Sequence, residues 1–272
     1  MSNYQVGDIV ARKSYGADIA FVISQVDKSE SRGKEYVLKG LEYRLVADAD
    51  QDDLLKLRAR DININKQRHL AAFTRQSLMR QIFNYNFPLA RPTRRPGSIV
   101  HIDASQQFLN DSMSYYRRIG LRPVGVFVDE PDQAQRVTGL LRQYKPDIVV
   151  LTGHDGIRKG YKDLNSYESY KNSTYYINAV REARSYEPNA DKLCIFAGAC
   201  QSYYEAIMSA GANFASSPGR VLVHSLDPVI VSQRIATTAS SQIVTPGQAI
   251  AGTISGAKGI GGINTRGRLT SL

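Results

Sequence analysis

The sequence predicts an α/β protein with a doubly wound, mostly parallel sheet, preceded by a small all-β domain of the SH3 or Tudor type. After residue 98, runs that are apolar throughout alternate with helix-type stretches, a pattern typical of parallel strands buried on both faces. Before residue 50, short β-type runs alternate with turn residues. We therefore predict a small β-barrel domain at 1–50, a basic helical arm and Pro/Arg-rich hinge at 51–98, and an α/β domain at 99–272.

The elements of the α/β region follow one another in alternating order. The predicted strands are residues 99–102, 124–128, 148–152, 193–197 and 221–223, and the predicted helices are residues 105–119, 131–144, 167–185 and 201–210. Strands separated by helices become parallel neighbours through right-handed crossovers. The Gly-, Ser- and Thr-rich stretch from residue 237 onward has no clear pattern, and we assign it no fold.

The N-terminal region contains four short β-type runs separated by turns. These runs are residues 8–11, 19–23, 36–38 and 43–46. Strands so short and so closely spaced favour a small barrel, and a plain four-stranded meander is the alternative.

Positive charge is concentrated in one segment of the chain. The formal net charge is +10, and residues 54–98 alone carry +9, because ten basic residues stand there against the single acid Asp61. The ten are Lys56, Arg58, Arg60, Lys66, Arg68, Arg75, Arg80, Arg91, Arg94 and Arg95. The charge therefore belongs to the arm. A basic protein that grips nucleic-acid phosphates is the alternative of a different functional class.

Composition excludes several classes of protein. Two cysteines, Cys194 and Cys200, and four histidines exclude a disulfide scaffold, a four-cysteine zinc site and a His-rich metal tract. No stretch approaches the roughly 18 apolar residues of a membrane span, and the first residues lack the pattern of a secretory signal. We expect no cofactor, no metal and no membrane contact, in a protein that stays inside the cell.

Two reactive residues follow successive predicted strands. His154 comes just after the third strand and Cys200 just after the fourth. Because sites in open parallel sheets form beyond the carboxyl ends of the strands, we expect the two side chains to lie together, where a thiol beside an imidazole suits nucleophilic catalysis. A helix beginning near Gln201 is expected to lower the pKa of Cys200. Cys194, inside the strand, is expected to be inert.

A second enzyme class stays open on the residues alone. Residues 198–202 resemble the nucleophile elbow of glutaminase-type Cys hydrolases and amidotransferases, which take their histidine from after the cysteine. Only His224 lies after Cys200, and no acid two residues behind it completes that set. We therefore favour the pair of Cys200 and His154.

Two apolar blocks, one ending in His and one in Ala-Cys, carry a resemblance to a known superfamily. They are Asp147-Ile148-Val149-Val150-Leu151-Thr152-Gly153-His154 and Lys192-Leu193-Cys194-Ile195-Phe196-Ala197-Gly198-Ala199-Cys200. This signature resembles that of the caspase-like cysteine peptidases, which include gingipain, clostripain, legumain and separase, and it implies a caspase-like fold. The superfamily has Gly directly after the His, whereas this chain has Asp155.

A closer resemblance rests on segments spread over nearly the whole chain. These are residues 6–15, 151–155, 196–202, 210–218, 226–229 and 259–267. They resemble the YabG family of sporulation-specific cysteine proteases. The resemblance implies a protease that processes spore coat or cortex-associated proteins, with a preference for cleavage after arginine. It also implies a location in the cytoplasm of the sporulating cell, in association with the developing spore.

The predicted mechanism assigns roles to individual residues. Cys200 attacks the scissile carbonyl, His154 protonates the leaving amine, and backbone N–H groups near Asp155 and at Cys200 stabilise the oxyanion. Arginine specificity requires a carboxylate, and Asp103 and Asp227, each just past a predicted strand, are the two candidates. No third residue that orients the imidazole is evident. The arm at 54–98 is expected to be cleaved by the enzyme itself, and the candidate sites follow Arg58, Arg60, Arg68, Arg75 and Arg80.

Overall fold

A computed structural model describes residues 4–29, 33–58 and 94–271 of the chain. Residues 59–93, which hold most of the predicted basic arm, lie outside the described residues, so the helical character of the arm and its cleavage stay predictions. Two sheets organise the described chain. One is antiparallel and is formed by strands between residues 9 and 56, and the other is mostly parallel and is formed by strands between residues 99 and 262.

The secondary-structure elements are numbered in chain order. The strands are β1 (Ile9–Arg12), β2 (Phe21–Ser29), β3 (Gly33–Gly40), β4 (Val46–Asp50), β5 (Leu54–Lys56), β6 (Arg94–Arg95), β7 (Ile99–Asp103), β8 (Val124–Phe127), β9 (Ile148–Thr152), β10 (Cys194–Ala197), β11 (Phe214–Ser216), β12 (Ile243–Val244), β13 (Ile260–Gly262), β14 (Thr265–Arg266) and β15 (Thr270–Ser271). The α-helices are α1 (Gln106–Arg118), α2 (Gln133–Tyr144), α3 (Ser173–Tyr186), α4 (Tyr204–Ser209), α5 (Asp227–Thr237), α6 (Pro246–Ile250) and α7 (Gly256–Gly259).

The N-terminal strands form one antiparallel sheet in the order β4-β3-β2-β1-β5. The first three predicted runs overlap β1, β2 and β3. The strand β5 was not predicted, and its residues were assigned to the basic arm. It joins the sheet because Leu54 is buried and the strand pairs with β1. Closure of this sheet into an SH3- or Tudor-type barrel stays a prediction.

The fourth predicted run, residues 43–46, is a strand only at its last residue. Tyr43 and Leu45 form isolated bridges with His224 and Asp155 respectively, two residues of the α/β region. The segment has the composition of a strand, but Arg44 forms a bend between the two bridges. Its partners, however, belong to the other half of the molecule, which a residue pattern does not reveal.

The α/β region is built on a six-stranded sheet in the order β13-β11-β10-β9-β7-β8. Every neighbouring pair is parallel except β11 with β13. The first four predicted strands are confirmed as β7, β8, β9 and β10. The strands β9 and β10 are direct neighbours, which is the condition for bringing the residues that follow them together.

Alternate residues of the central strands belong to two different apolar clusters. Val149 and Leu151 of β9 pack with residues of α2 and α3, whereas Ile148 and Val150 pack with residues of α1, α5 and the antiparallel sheet. Since successive side chains of a strand point to opposite faces, the sheet is covered on both sides. The α/β class with a mostly parallel sheet is confirmed, and the caspase-like identity of the fold stays a prediction.

The predicted strand at residues 221–223 is wrong. The fifth parallel strand is β11, and residues 221–223 belong to no strand or helix. The carbonyl of Val221 accepts a hydrogen bond from the N–H of Gln201, and Val223 contacts the sulfur of Cys200. The run is therefore apolar because it packs beside the candidate site rather than because it pairs in the sheet.

The stretch from residue 237, to which the sequence assigned no fold, completes the sheet and adds two short ribbons. It supplies β13 as the antiparallel edge, pairs β12 with β14, and pairs β15 with β6. Among the helices of residues 4–29, 33–58 and 94–271, none combines the length and the apolar character that crossing a membrane requires.

Candidate active site

His154 and Cys200 leave the sheet at the same edge. Their strands β9 and β10 run side by side, and beyond the last paired residues the N–H of Gly198 donates to the carbonyl of Leu151 at 3.0 Å. Both side chains are buried, with 4% of His154 and 0% of Cys200 exposed. Something therefore covers this edge of the sheet.

The cover is residues 43–46, which we call the crossing segment. It comes from the connection between β3 and β4 of the antiparallel sheet. The carbonyl oxygen of Arg44 accepts two hydrogen bonds of 3.1 Å, one from the N–H of Asp155 and one from the N–H of Cys200. These are the backbone groups that the sequence predicts as donors to an oxyanion.

The side chain of Arg44 is fully buried beneath the same edge. Its Nη1 lies 2.7 Å from Oδ2 of Asp103, at the end of β7. Its Nη2 and Nε donate to the carbonyl of Ser225 at 3.0 and 3.3 Å. The guanidinium carbon lies 5.0 Å from the ring centroid of Phe108 in α1. The pocket therefore offers a guanidinium a carboxylate, a carbonyl and an aromatic face.

Asp103 is held in place by further donors. The N–H of Ser105 and the hydroxyl of Thr152 each donate to its carboxylate at 2.9 Å, and Nε2 of His101 lies 3.4 Å away. Burial alone disfavours the ionised carboxylate, but the charge of Arg44 and the contact with His101 outweigh burial and hold the pKa of Asp103 well below its usual range. Burial lowers the pKa of His101, so this imidazole is neutral at pH 7. The buried charges thus balance as one carboxylate against one guanidinium.

The sulfur of Cys200 does not lie at a helix N-terminus, contrary to the prediction. The helix after β10, α4, begins only at Tyr204. The N–H of Val223 donates to Sγ of Cys200 at 3.1 Å, yet burial dominates and raises the pKa of this thiol to about 12. Burial also raises the pKa of Cys194, inside β10, to about 12, and both cysteines are free thiols. With the crossing segment in place, the thiol of Cys200 is therefore protonated at neutral pH.

Comparison with known proteins identifies the family. The family model described as YabG peptidase U57 matches residues 5–272. The sporulation-specific protease YabG of Bacillus subtilis (strain 168) is 33% identical over 282 residues, an alignment that covers 98% of this chain and 96% of that protein. The chain belongs to the YabG peptidase family. The family resemblance inferred from the sequence motifs is confirmed, and the chain is a protease by family.

In this YabG-family protease, the imidazole of His154 has an acidic neighbour that the sequence did not identify. Oε1 of Glu130, just before α2, accepts the backbone N–H of His154 at 2.8 Å and lies 3.8 Å from its Nδ1. Burial opposes ionisation of Glu130, but its contacts with His154 outweigh burial and lower the pKa of the carboxyl. The ring of Phe108 lies against the imidazole, with 5.3 Å between centroids. Glu130 and Phe108 therefore flank the ring, and within the described residues Nδ1 of His154 has no hydrogen-bond partner.

Asp155, the departure from the superfamily pattern, braces the two loops that follow β9 and β10. Its buried carboxyl accepts from the hydroxyl of Ser202 at 2.8 Å, the hydroxyl of Ser173 at 2.5 Å and the N–H of Asn172 at 2.8 Å. Ser202 in turn accepts from the N–H of Ala199 at 2.9 Å. Burial raises the pKa of Asp155 in spite of these donors. The brace fixes the spacing of the two N–H groups that bind the carbonyl of the crossing segment.

Asp227 and His224 lie elsewhere in the network. The carboxylate of Asp227 accepts from the N–H groups of Ile254 and Ser255 at 2.7 and 3.0 Å, so it fastens the loop before α7. Nδ1 of His224 accepts from the N–H of Leu226 at 3.2 Å. Of the two aspartates that the sequence proposed for an arginine pocket, the one that contacts a guanidinium in the buried site is Asp103.

Sequence reasoning missed Arg44, Phe108 and Glu130. The charge of Arg44 is ordinary in a β-type run, and Glu130 stands in a Pro-containing turn that reads as the start of a helix. One signal was present for Glu130, because it follows the end of a parallel strand, as His154 and Cys200 do. Within the described parts of the chain, no cluster of three or more His, Cys, Asp or Glu side chains is arranged to hold a metal ion.

Proposed function

We propose that this protein is a cysteine endopeptidase that cleaves proteins after arginine. The observation that carries the proposal is the position of Arg44. Its carbonyl oxygen accepts hydrogen bonds from the N–H groups of Asp155 and Cys200, and its guanidinium forms an ion pair with Asp103. A substrate arginine has the same two requirements. Its carbonyl needs preorganised donors for the oxyanion, and its buried guanidinium needs a carboxylate.

Cys200 is the proposed nucleophile and His154 its partner in proton transfer. Because burial raises the pKa of the thiol to about 12, the proton must leave Sγ as the C–S bond forms rather than beforehand. His154 takes that proton, gives it to the leaving amine, and later activates the water that hydrolyses the thioester. The two N–H groups at Asp155 and Cys200 stabilise the oxyanion, and each such donor is typically worth about 2.7–4 kcal/mol.

Asp103 is the proposed carboxylate of the arginine pocket, in preference to Asp227. A guanidinium taken out of water is stabilised only if it is paired and hydrogen-bonded. Asp103 stands opposite Arg44 at 2.7 Å, whereas the carboxylate of Asp227 is engaged by two backbone N–H groups. The carbonyl of Ser225 and the ring of Phe108 complete the proposed pocket.

The proposed role is the processing of spore coat or cortex-associated proteins during sporulation. Support comes from the YabG family membership and from the sporulation-specific protease of Bacillus subtilis that this chain resembles over nearly its full length. We place the enzyme in the cytoplasm of the sporulating cell, associated with the developing spore. Its partners are protein substrates, and the basic arm at 54–98 is a further proposed substrate of the same site.

Two other classes have less support. A glutaminase-type mechanism requires His224, whose Nδ1 is engaged by the N–H of Leu226. Nucleic-acid binding through the arm does not involve Cys200, and it does not explain why the carbonyl and the guanidinium of Arg44 are bound in a buried site. Comparison of His154→Ala with His224→Ala separates the two enzyme mechanisms, because each variant removes the base of only one.

The test uses an unstructured protein substrate that contains arginine and lysine, incubated with purified wild-type protein and with Cys200→Ala. We expect wild type to cut after arginine, with the cut sites read by mass spectrometry, and Cys200→Ala to leave the substrate whole. The same substrate with each arginine replaced by citrulline is the matched control, since citrulline keeps the shape and loses the charge. Cutting by Cys200→Ala, or cutting without preference for arginine, contradicts the proposal.

A further inference from the structure

We infer that the peptide bond between Arg44 and Leu45 is a self-cleavage site of this enzyme, and that the crossing segment is its substrate. The inference rests on the proposed function and identifies one peptide bond of this chain as a substrate of the same site. The carbonyl of Arg44 is the group that receives the two N–H donors at Asp155 and Cys200. Of the arginines in the described chain, it is the one whose guanidinium contacts Asp103.

The chain is held on both sides of this bond. Before the bond, Tyr43 forms an antiparallel bridge with His224. The carbonyl of the next residue, Ser225, accepts a hydrogen bond from the Arg44 guanidinium. After the bond, the N–H of Val46 donates to the carbonyl of Asp155 at 2.9 Å. A peptide held by backbone contacts on either side of one carbonyl is positioned in the way that a protease cleft positions a substrate.

The fit on the far side of the bond is close. A Cβ atom on Gly156 would stand 2.1 Å from the carbonyl oxygen of Val46, so a larger residue at this position would displace the segment. The side chain of Leu45 is buried in the apolar cluster that contains Cys200. The crossing segment therefore fills the site from the arginine pocket to the residues beyond the bond, and an external arginine cannot enter while it is there.

The chemical step balances with water as the co-reactant. Sγ of Cys200 attacks the carbonyl carbon of Arg44, and the bond from that carbon to the nitrogen of Leu45 breaks. The thiol proton passes through His154 to the new amine of Leu45. Water then hydrolyses the thioester, which leaves a carboxylate on Arg44 and restores the thiol.

The two fragments stay together after the cut. Residues before the bond include β1, β2 and β3, and residues after it include β4 and β5. The strand β3 pairs with β4, and β1 pairs with β5, so the antiparallel sheet bridges the nick. We therefore expect a nicked protein that elutes as one species under native conditions and as two chains under denaturing conditions.

The experiment follows purified wild type, Cys200→Ala, Arg44→Ala and Arg58→Ala by intact mass and by N-terminal mapping. An arginyl peptide is included in a parallel sample of each. Wild type should give the fragment 1–44 and a new N-terminus at Leu45, at a rate independent of protein concentration over a tenfold range. Cys200→Ala and Arg44→Ala should keep this bond intact. Arg58→Ala, the matched control, should be cut as fast as wild type.

Arg44→Ala leaves the buried carboxylate of Asp103 without its cation, so this variant is expected to be less stable than wild type. The new N-terminus of the cleaved wild-type protein tests the inference without the Arg44→Ala variant. If the peptide is cut after arginine but wild type stays whole, or its new N-terminus follows Arg58 instead, the inference is wrong and the proposed function stands. If neither the peptide nor the chain is cut, both fail.

Discussion

The two sheets contribute to the candidate site in different ways. The six-stranded sheet supplies titratable side chains at the carboxyl ends of its strands, with Asp103 as the last residue of β7, His154 after β9 and Cys200 after β10. The antiparallel sheet supplies no reactive group there, but it delivers Arg44 on the connection from β3 to β4. The parallel sheet builds a buried site that contacts the carbonyl and the guanidinium of Arg44, and the antiparallel sheet delivers the segment that fills it.

This difference explains why the smaller sheet is more than an appendage. Its residues share an apolar cluster with one face of the larger sheet, and its crossing segment covers a thiol that is otherwise placed at an open edge. We expect the filled site to hold the uncut chain inactive toward other proteins.

The largest expected loss of activity comes from substituting the proposed catalytic residues at the edge of the parallel sheet. Cys200→Ala and His154→Ala should each lower kcat/KM for an arginyl peptide by about 10³-fold or more, because no other group forms the thioester or moves its proton. Cys194→Ala is the matched control, since Cys194 is also a buried thiol with its pKa raised to about 12. It should keep most of the activity. Full activity in purified Cys200→Ala would refute the mechanism.

The next effect falls on the pocket that receives the arginine. Asp103→Asn removes one charge of a buried pair, a loss of about 3–5 kcal/mol, and should lower kcat/KM for arginyl peptides by about 10²- to 10⁴-fold. Asp227→Asn, the second candidate, should change kcat/KM by no more than a few-fold, with folding of both variants checked by thermal unfolding. The reverse result would move the pocket to Asp227.

A smaller effect is expected at Glu130, which we regard as a positioning residue for His154. Glu130→Gln keeps the shape and loses the charge 3.8 Å from Nδ1. We expect kcat to fall about 10-fold while KM stays within a factor of two, because orientation of the base affects the chemical step. Glu205→Gln is the control, since Glu205 pairs with Arg220 at the surface, away from the imidazole. Equal losses in the two variants would remove Glu130 from the mechanism.

The smallest expected effect is a change in the free energy of unfolding with pH. The pKa of Asp103 is lowered in the folded chain from an ordinary value of 3.8, so the stability that it contributes is present above about pH 4 and is lost as the pH falls further. Relative to Asp103→Asn, wild type should lose about 1.4 kcal/mol of unfolding free energy per pH unit below that point. Urea unfolding of both proteins between pH 6 and pH 3 measures the difference. A constant difference would mean that the carboxylate is not paired in the fold.

The positions of the proposed catalytic residues were largely predictable from the sequence, and the segment that covers them was not. Apolar runs identified β9 and β10, so the placement of His154 and Cys200 at one edge followed from the rules of parallel sheets. The pKa of Cys200 was mispredicted, because burial under the crossing segment is a long-range contact that local helix signals do not contain. The role of Arg44 was invisible for the same reason. A β-type run has the same residue pattern whether it pairs within its own sheet or contacts a cleft in another part of the molecule.

The most direct test of the account is labelling with an arginyl chloromethyl ketone, followed by mass mapping of the adduct. This reagent needs both halves of the site, since its guanidinium must enter the pocket before a nucleophile can displace chloride. We predict one adduct, on Sγ of Cys200, which forms faster after the Arg44–Leu45 bond is cut and at least tenfold more slowly in Asp103→Asn. An adduct on Cys194 or His224, or equal labelling of Cys200 in Asp103→Asn, would contradict the account.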